Sequence, residues 1–434
     1  MDSPQESLSF SDVREFLFGL RNRGSKYGIG RMVRFAAAAR NPEQSFPSIH
    51  VAGTNGKGSV CALLESALRL GGYRTGLFTS PHLVHLGERV QVDRVPLSEG
   101  EIAAMTLRLR AIAASQVAET DDEYPSFFEF MTLMAFLRFA SENVDVAILE
   151  VGLGGRLDST NIVEPEVCVI TSIGLDHQEI LGETIDKIAT EKAGICKPGV
   201  PVVMGNLCEV AEAVVREKAS ELGCRVYSVA ERFQNEELPQ TNLVGQFQRW
   251  NAATALLTLE VLQQRMNVNR STILNAFQQT SWEGRWEERT IGERSFIFDA
   301  THNPQGAGAL ATNLRNRFGA PRGNVDVIVG SLGLDRAWAV MRVIAPYARR
   351  IFVVRPSQPR ALTFGEMRSV VPNDFKGEVL ESSVEELFPG GDISKVPNGT
   401  DPVLLTGSIY LIGEILGRVQ SAGQGSSGEL QDRI

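Results

Sequence analysis

Apolar and polar positions along the chain switch between two periods. Ser48-Ile49-His50-Val51 is a short apolar run that predicts a strand, and 57–71 then takes a helical period. The run 144–151, VDVAILEV, is nearly continuously apolar, as a strand buried on both faces requires. Similar runs fall at 167–172 and 201–204, and helical patterns at 127–141, 183–194, 209–222 and 248–265. This alternation predicts an α/β fold with a mostly parallel, doubly wound sheet. At 281–294, SWEGRWEERTIGER, the pattern turns polar, and it then restarts. Strands are expected at 295–299, 325–330, 350–354 and 403–406, with a helix at 305–318. A boundary near 285–290 gives domains 1–286 and 287–420, the second a smaller open α/β sheet. The Gly/Ser-rich tail 421–434 is expected to be disordered.

Composition narrows the class. The 434 residues are 43% apolar and 22% charged, the usual mix of a soluble globular chain. The net charge of −9 argues against a nucleic-acid partner, and an anionic substrate would need a locally positive pocket. Five cysteines without CxxC spacing argue against a disulfide framework or a zinc site and suggest a reducing compartment. The first residues lack the pattern of a signal peptide, and no apolar run is long enough to span a membrane. A cytoplasmic location is therefore expected.

Four motifs carry chemistry. In HVAGTNGKGS, 50–59, a strand enters a glycine-rich turn and a helix starts near Lys57. Backbone N–H groups, the helix N-terminus and the Lys57 charge together suit phosphate. The strict GxxxxGK[ST] pattern is not met, because Gly58 separates Lys57 from Ser59. In EVGLGGRLDSTN, 150–161, Glu150 ends a buried strand, where a carboxylate beside a phosphate loop suits Mg²⁺. The block 171–197 contains His177 and Lys192, which composition alone reads as a structural histidine and a solvated helix lysine. FDATHNP, 298–304, places Asp299 and His302 after a strand, as a ribose ligand or as a helix start closed by Pro304.

Together with KYGIGRM, TSPHL (79–83), GERVQVD (87–93), FFEFMT (127–132), PRAL (359–362) and TGSIY (406–410), these motifs resemble the folylpolyglutamate synthase and dihydrofolate synthase family of the Mur ligase superfamily. The resemblance implies a P-loop-like N-terminal domain, a Rossmann-like C-terminal domain and an active site between them. By the same resemblance, Gly53, Thr54, Asn55, Gly56, Lys57, Gly58 and Ser59 hold ATP, and Asn251, Arg285 and Asp299 contact the nucleotide from the interdomain side. Ser80, Glu150, His177 and a carbamylated Lys192 serve two Mg²⁺ sites. Phe128 and Asp158 match positions near the pterin, and His302, Ser408 and Tyr410 match positions linked to glutamate. Departures occur at Ala300 and Thr301 in DATHNP, Glu283 in WEGR, Phe247, and Asp335-Arg336-Ala337 in place of a DKD segment.

The implied reaction transfers the γ-phosphoryl of ATP to a folate or dihydropteroate carboxylate, and the amine of L-glutamate then displaces phosphate from the acyl phosphate. Lys57 and Lys192 would assist, with His302 as candidate base. Expected partners are small molecules only, with a monomeric protein. Two alternatives stand beside this reading. A Mur-type ligase for UDP-linked precursors would need an extra domain before a loop that already starts near residue 53. A P-loop NTPase without ligase chemistry would turn over ATP without glutamate.

Overall fold

The computed structural model describes residues 9–22, 28–234 and 236–420. The tail expected from 421, and Lys26 and Tyr27 of the KYGIGRM motif, lie outside the described residues.

The apolar runs form the first sheet. Its strands are β1 (Ser48–Ala52), β2 (Thr75–Phe78), β3 (Val90–Val92), β4 (Val95–Pro96), β5 (Val146–Glu150), β6 (Val167–Ile170), β7 (Val202–Met204) and β8 (Val226–Ser228). Their order is β4-β3-β2-β5-β1-β6-β7-β8, parallel except for β3 and β4, which fold back antiparallel at one edge. β1 lies between β5 and β6, with Val51 beside both Glu150 and Val169. Three neighbouring strands therefore deliver the loop 53–59, Glu150 and the 171–177 segment to one sheet edge. Ligands in open α/β sheets gather at this carboxyl edge.

Both faces of this sheet are covered. Ala147 and Leu149 of β5 face a core built with the helix Phe127–Glu142. Val146 and Ile148 face the opposite core, built with the helices Lys57–Leu70 and Gln246–Leu262. Alternate residues of a strand point to opposite faces, so burial on both sides demands an unbroken apolar run.

The second sheet comprises β9 (Arg285–Ile291), β10 (Arg294–Asp299), β11 (Val325–Val329), β12 (Ala348–Val354), β13 (Glu378–Ser382) and β14 (Val403–Thr406). Its order is β13-β12-β11-β14-β10-β9, parallel apart from the β9–β10 hairpin. The polar segment 281–294 thus holds a strand rather than a bare break. β9 is an edge strand with partly exposed residues, which hides it from a search for apolar runs. β13, at the other edge, escapes for the same reason.

The loop after β2 joins the lobes. Leu83 and Val84 are buried in the second sheet's core beside Phe298 and Ile412. Glu88 holds the loop in shape by accepting the backbone N–H groups of Leu83, Val84 and His85 at 2.7, 3.0 and 2.6 Å. All five cysteines are free, and no described helix is long and apolar enough to cross a membrane.

Candidate functional site

Gly56 caps the helix Lys57–Leu70 with φ of 86°, a conformation that side-chain-bearing residues rarely adopt. A Cβ there would lie 2.5 Å from Asn251 Oδ1. The helix N-terminus consequently opens directly onto the loop, as an anion site requires. The end of β6 braces the loop: Thr54 N–H donates to Ser172 O at 2.7 Å and Asn55 N–H to Ser172 Oγ at 3.1 Å. Asn251 joins it through Gln248, whose Nε2 donates to Ser59 Oγ at 3.2 Å. Lys57 Nζ folds back onto the carbonyls of Gly53 and Thr54, at 3.1 and 3.4 Å.

Beside the loop, Glu150 Oε2 accepts the Ser80 backbone N–H at 3.1 Å, which ties the two residues together. Burial pushes the Glu150 carboxyl up, opposed by Lys57. Lys192 corrects the composition-based expectation of a solvated lysine. Only 4% exposed, it donates to Gly53 O at 2.9 Å. Burial first, then the Lys57 charge, brings its ammonium down to about 7. His177 is brought by burial down to about 4, so it is neutral near pH 7, and its Nδ1 is buried without a hydrogen-bond partner. Among the described residues, no cluster of three or more His, Cys, Asp or Glu could by itself hold a metal. Mg²⁺ can be served by fewer, since it takes hydroxyl, water and phosphate oxygens as readily as carboxylates.

The second sheet closes the site from the opposite side. Asp299, buried at the end of β10, accepts Thr301 N–H at 3.1 Å and is raised by burial. Arg285 stands opposite it in the β9–β10 register. His302 Nδ1 lies 2.8 Å from Ala300 O, so that nitrogen is the donor and Nε2 carries the lone pair. Ser408 Oγ accepts Tyr410 N–H at the start of the helix Ile409–Gln420.

One cavity of about 310 Å³ collects these groups. Gly53 to Ser59, Ser80, Glu150, His177, Lys192, Asn251, Arg285, Asp299, His302, Ser408 and Tyr410 all line it. Phe128 and Asp158 do not. Phe128 packs against Phe78, and its ring fills the space beside Gly152. Asp158 uses both carboxylate oxygens on the Gly152, Leu153 and Thr160 N–H groups and the Thr160 hydroxyl, shaping the loop after β5.

Residues 51–256 match the Mur ligase middle domain family. A dihydrofolate synthase/folylpolyglutamate synthase of Bacillus subtilis (strain 168) is 33% identical over 436 residues, covering 95% of this chain and 99% of the relative. The chain belongs to the folylpolyglutamate synthase and dihydrofolate synthase family. Solved structures agree. Folylpolyglutamate synthase from Thermotoga maritima aligns with TM-score 0.80 and 28% identity, over 96% of this chain and 98% of that one. The Mycobacterium tuberculosis folylpolyglutamate synthase, solved with ADP and AMPPCP, gives 0.81 and 26%, over 93% and 98%. E. coli FolC, solved with DHPP and ADP, gives 0.80 and 28%, over 95% and 98%.

Within this folylpolyglutamate and dihydrofolate synthase fold, the departures sit unevenly. Phe247 lines the cavity with Trp250, whereas Glu283 pairs with Arg289. Ala300 is buried, yet it lines the cavity together with Thr301. The cavity also holds Asp176, Gln305 and Arg336, which sequence reasoning left without roles. Asp176 directly precedes His177, and Gln305 directly follows the DATHNP motif. For these two the available signal was adjacency to motif residues, and for Arg336 it was the departure at Asp335-Arg336-Ala337.

Proposed function

We propose that this family member is an ATP-dependent ligase that joins L-glutamate to the carboxylate of a folate or dihydropteroate through an acyl phosphate. The observation that carries the reading is one interlobe cavity lined by the loop 53–59, by Ser80 with Glu150, and by Asp299 with Arg285. ADP, AMPPCP and DHPP in the solved relatives support the same substrates here.

In this reading the N–H groups of 53–59 and the Lys57 ammonium hold the phosphates, while Asn251, Arg285 and Asp299 hold the rest of the nucleotide. The chain is read as an ATP-binding lobe, 1–286, and a glutamate lobe, 287–420, with Arg285 and Trp286 at the join already part of β9. Ser80, Glu150 and His177 suit Mg²⁺ as oxygen and neutral imidazole donors. Bound there, it would offset charge on the transferring phosphoryl group. Lys192 is placed for carbamylation. Its neutral amine attacks CO₂, an N–C bond forms, a proton leaves to solvent, and the carbamate keeps one N–H for Gly53 O. The acceptor carboxylate attacks the γ-phosphorus and ADP departs. The glutamate amine then attacks the acyl carbon and phosphate departs. His302, neutral and with its Nε2 lone pair available, is the candidate acceptor for the amine proton. Ser408 and Tyr410 are assigned to glutamate. Phe128 and Asp158 are assigned to the pterin side through the Gly152 loop they shape, and both acceptors are taken as substrates. The enzyme is read as a cytoplasmic monomer, a compartment consistent with five free thiols.

The test is ADP release with L-glutamate and, in turn, dihydropteroate or tetrahydrofolate. Turnover that needs both glutamate and acceptor is expected. ADP release indifferent to glutamate would replace the ligase with a simple NTPase, and activity with only one acceptor would remove the bifunctional reading.

A further inference from the structure

Asp176 belongs to the first lobe, yet the side chains bonded to its carboxylate come from the second. Arg336 Nη2 donates to Oδ1 at 2.6 Å, and Asn303 Nδ2 donates to Oδ2 at 3.0 Å. His302 Nε2 lies 3.8 Å from Oδ2. The carboxylate is only 8% exposed. A charge-assisted bond in such a setting is shorter and stronger than a neutral one, and removing either partner leaves the other charge buried and unpaired.

The second-lobe partners are themselves fixed. Asn303 caps the helix Pro304–Phe318 by accepting Gly306 N–H at 2.8 Å, and it also reaches Asn55 of the phosphate loop. Arg336 sits in the first turn of the helix Leu334–Ile344. A second interlobe ion pair, Glu179–Arg360, is about half exposed on both sides and contributes little by comparison. Elsewhere the lobes are joined by the apolar insertion of Leu83 and Val84 and by neutral hydrogen bonds from Asn55 and Ser172 to Gln305 at 2.7 and 3.4 Å. Breaking the Asp176 contacts would therefore remove the buried charged link on that side of the cleft and leave the weaker neutral bonds of Asn55 and Ser172 to hold it, while the apolar insertion held the other side.

We propose that Asp176 is a positioning residue that forms, with Arg336, a latch clamping the second lobe onto the phosphate loop and, through its bond to Asn303, fixing the backbone that carries His302 over the cavity. The proposal rests on the ligase reading for its kinetic consequence, but the latch itself is a statement about lobe closure.

The experiment compares Asp176→Asn, Arg336→Gln, the double variant and Arg336→Lys with the full-length wild type. Asp176→Asn keeps the side-chain shape, removes the charge and turns one acceptor oxygen into an N–H donor facing Arg336 or Asn303, and Arg336→Lys keeps the charge without the fork. Small-angle scattering reads the lobe separation, steady-state kinetics read the KM for glutamate and for ATP separately, and a thermal melt confirms folding. Both charge-removing singles are expected to widen the scattering envelope and to lower kcat/KM for glutamate about 10- to 100-fold, with a smaller change in the KM for ATP. The double variant is expected to be no worse than the worse single, and Arg336→Lys to recover part of the loss. Unchanged scattering and an unchanged glutamate KM in folded singles would overturn the latch, as would a double-variant loss equal to the product of the single losses. A wild type without glutamate-dependent turnover removes the ligase reading alone, and the scattering comparison then decides the latch.

Discussion

Lys57 directs its ammonium at two carbonyls of its own loop, so a bound phosphate would exchange weak neutral acceptors for an anion. Lys57→Ala is expected to lower glutamate-dependent ADP release by about 10²- to 10³-fold, the usual cost of removing one such electrostatic group. Near-normal turnover in a coupled ADP assay would remove the loop from catalysis. Lys192 poses a different question. A lysine at its ordinary value is neutral in roughly one molecule in three thousand at pH 7, whereas one at about 7 is neutral in about half. Only the neutral amine reacts with CO₂, so burial prepares this side chain for carbamylation. Lys192→Ala is expected to cost most of the activity, with partial rescue by a small carboxylate such as acetate. A carbamate carbon signal under ¹³C-bicarbonate should appear in wild type and vanish in the variant. A wild type lacking that signal sinks the idea. Composition had pointed to a solvated lysine because helix position says nothing about which face the remaining chain covers. Asp158 shows the same limit from the other side: the resemblance sets it near the pterin, but its oxygens are occupied by N–H groups that only the folded loop brings near.

The elements that build the site were legible where they are buried on two faces. β1, β5 and β6 carry apolar runs because both sides of the sheet are covered, and each run ends where a chemical motif begins. β9 and β13 lack such runs because edge strands face solvent on part of their surface. The contact between Trp282 and the helix Lys57–Leu70 was equally hidden, since it pairs residues over two hundred positions apart in the chain. A Cβ on Gly58 would lie 2.9 Å from Trp282 Nε1, and Trp282 is itself covered by the Arg94 guanidinium at 5.1 Å. Two effects oppose each other in Gly58→Ala. Helix propensity favours alanine by about 1 kcal/mol, and overpacking costs about 1–3 kcal/mol. Overpacking is expected to win, giving a net loss of about 1 kcal/mol by urea denaturation and weaker nucleotide binding by calorimetry. Wild-type values in both measurements would mean that Trp282 moves aside freely.

At the scale of the molecule, the site exists only where two sheets meet, and neither half of the chain contains it alone. Glu88 stiffens the loop that drives Leu83 and Val84 into the second core, and Ser80 lies three residues before Leu83. The arrival of the second lobe is thereby tied to the position of Ser80, whose backbone N–H bonds to Glu150. A ligand gripping both lobes must stabilise the folded, closed protein by mass action. At a free concentration one hundred times its Kd, the gain is about 2.7 kcal/mol. A non-hydrolysable ATP analogue with Mg²⁺ should therefore raise the melting temperature by a few degrees. Chelating Mg²⁺ should remove much of that rise, because the metal-assisted part of the affinity is lost while the 53–59 loop and Lys57 remain. Glu150→Gln should behave in the presence of Mg²⁺ much as wild type does in the presence of chelator. An analogue-induced shift that is identical with and without Mg²⁺, or unchanged in Glu150→Gln, would mean that Ser80 and Glu150 hold no metal and that the loop binds nucleotide unaided.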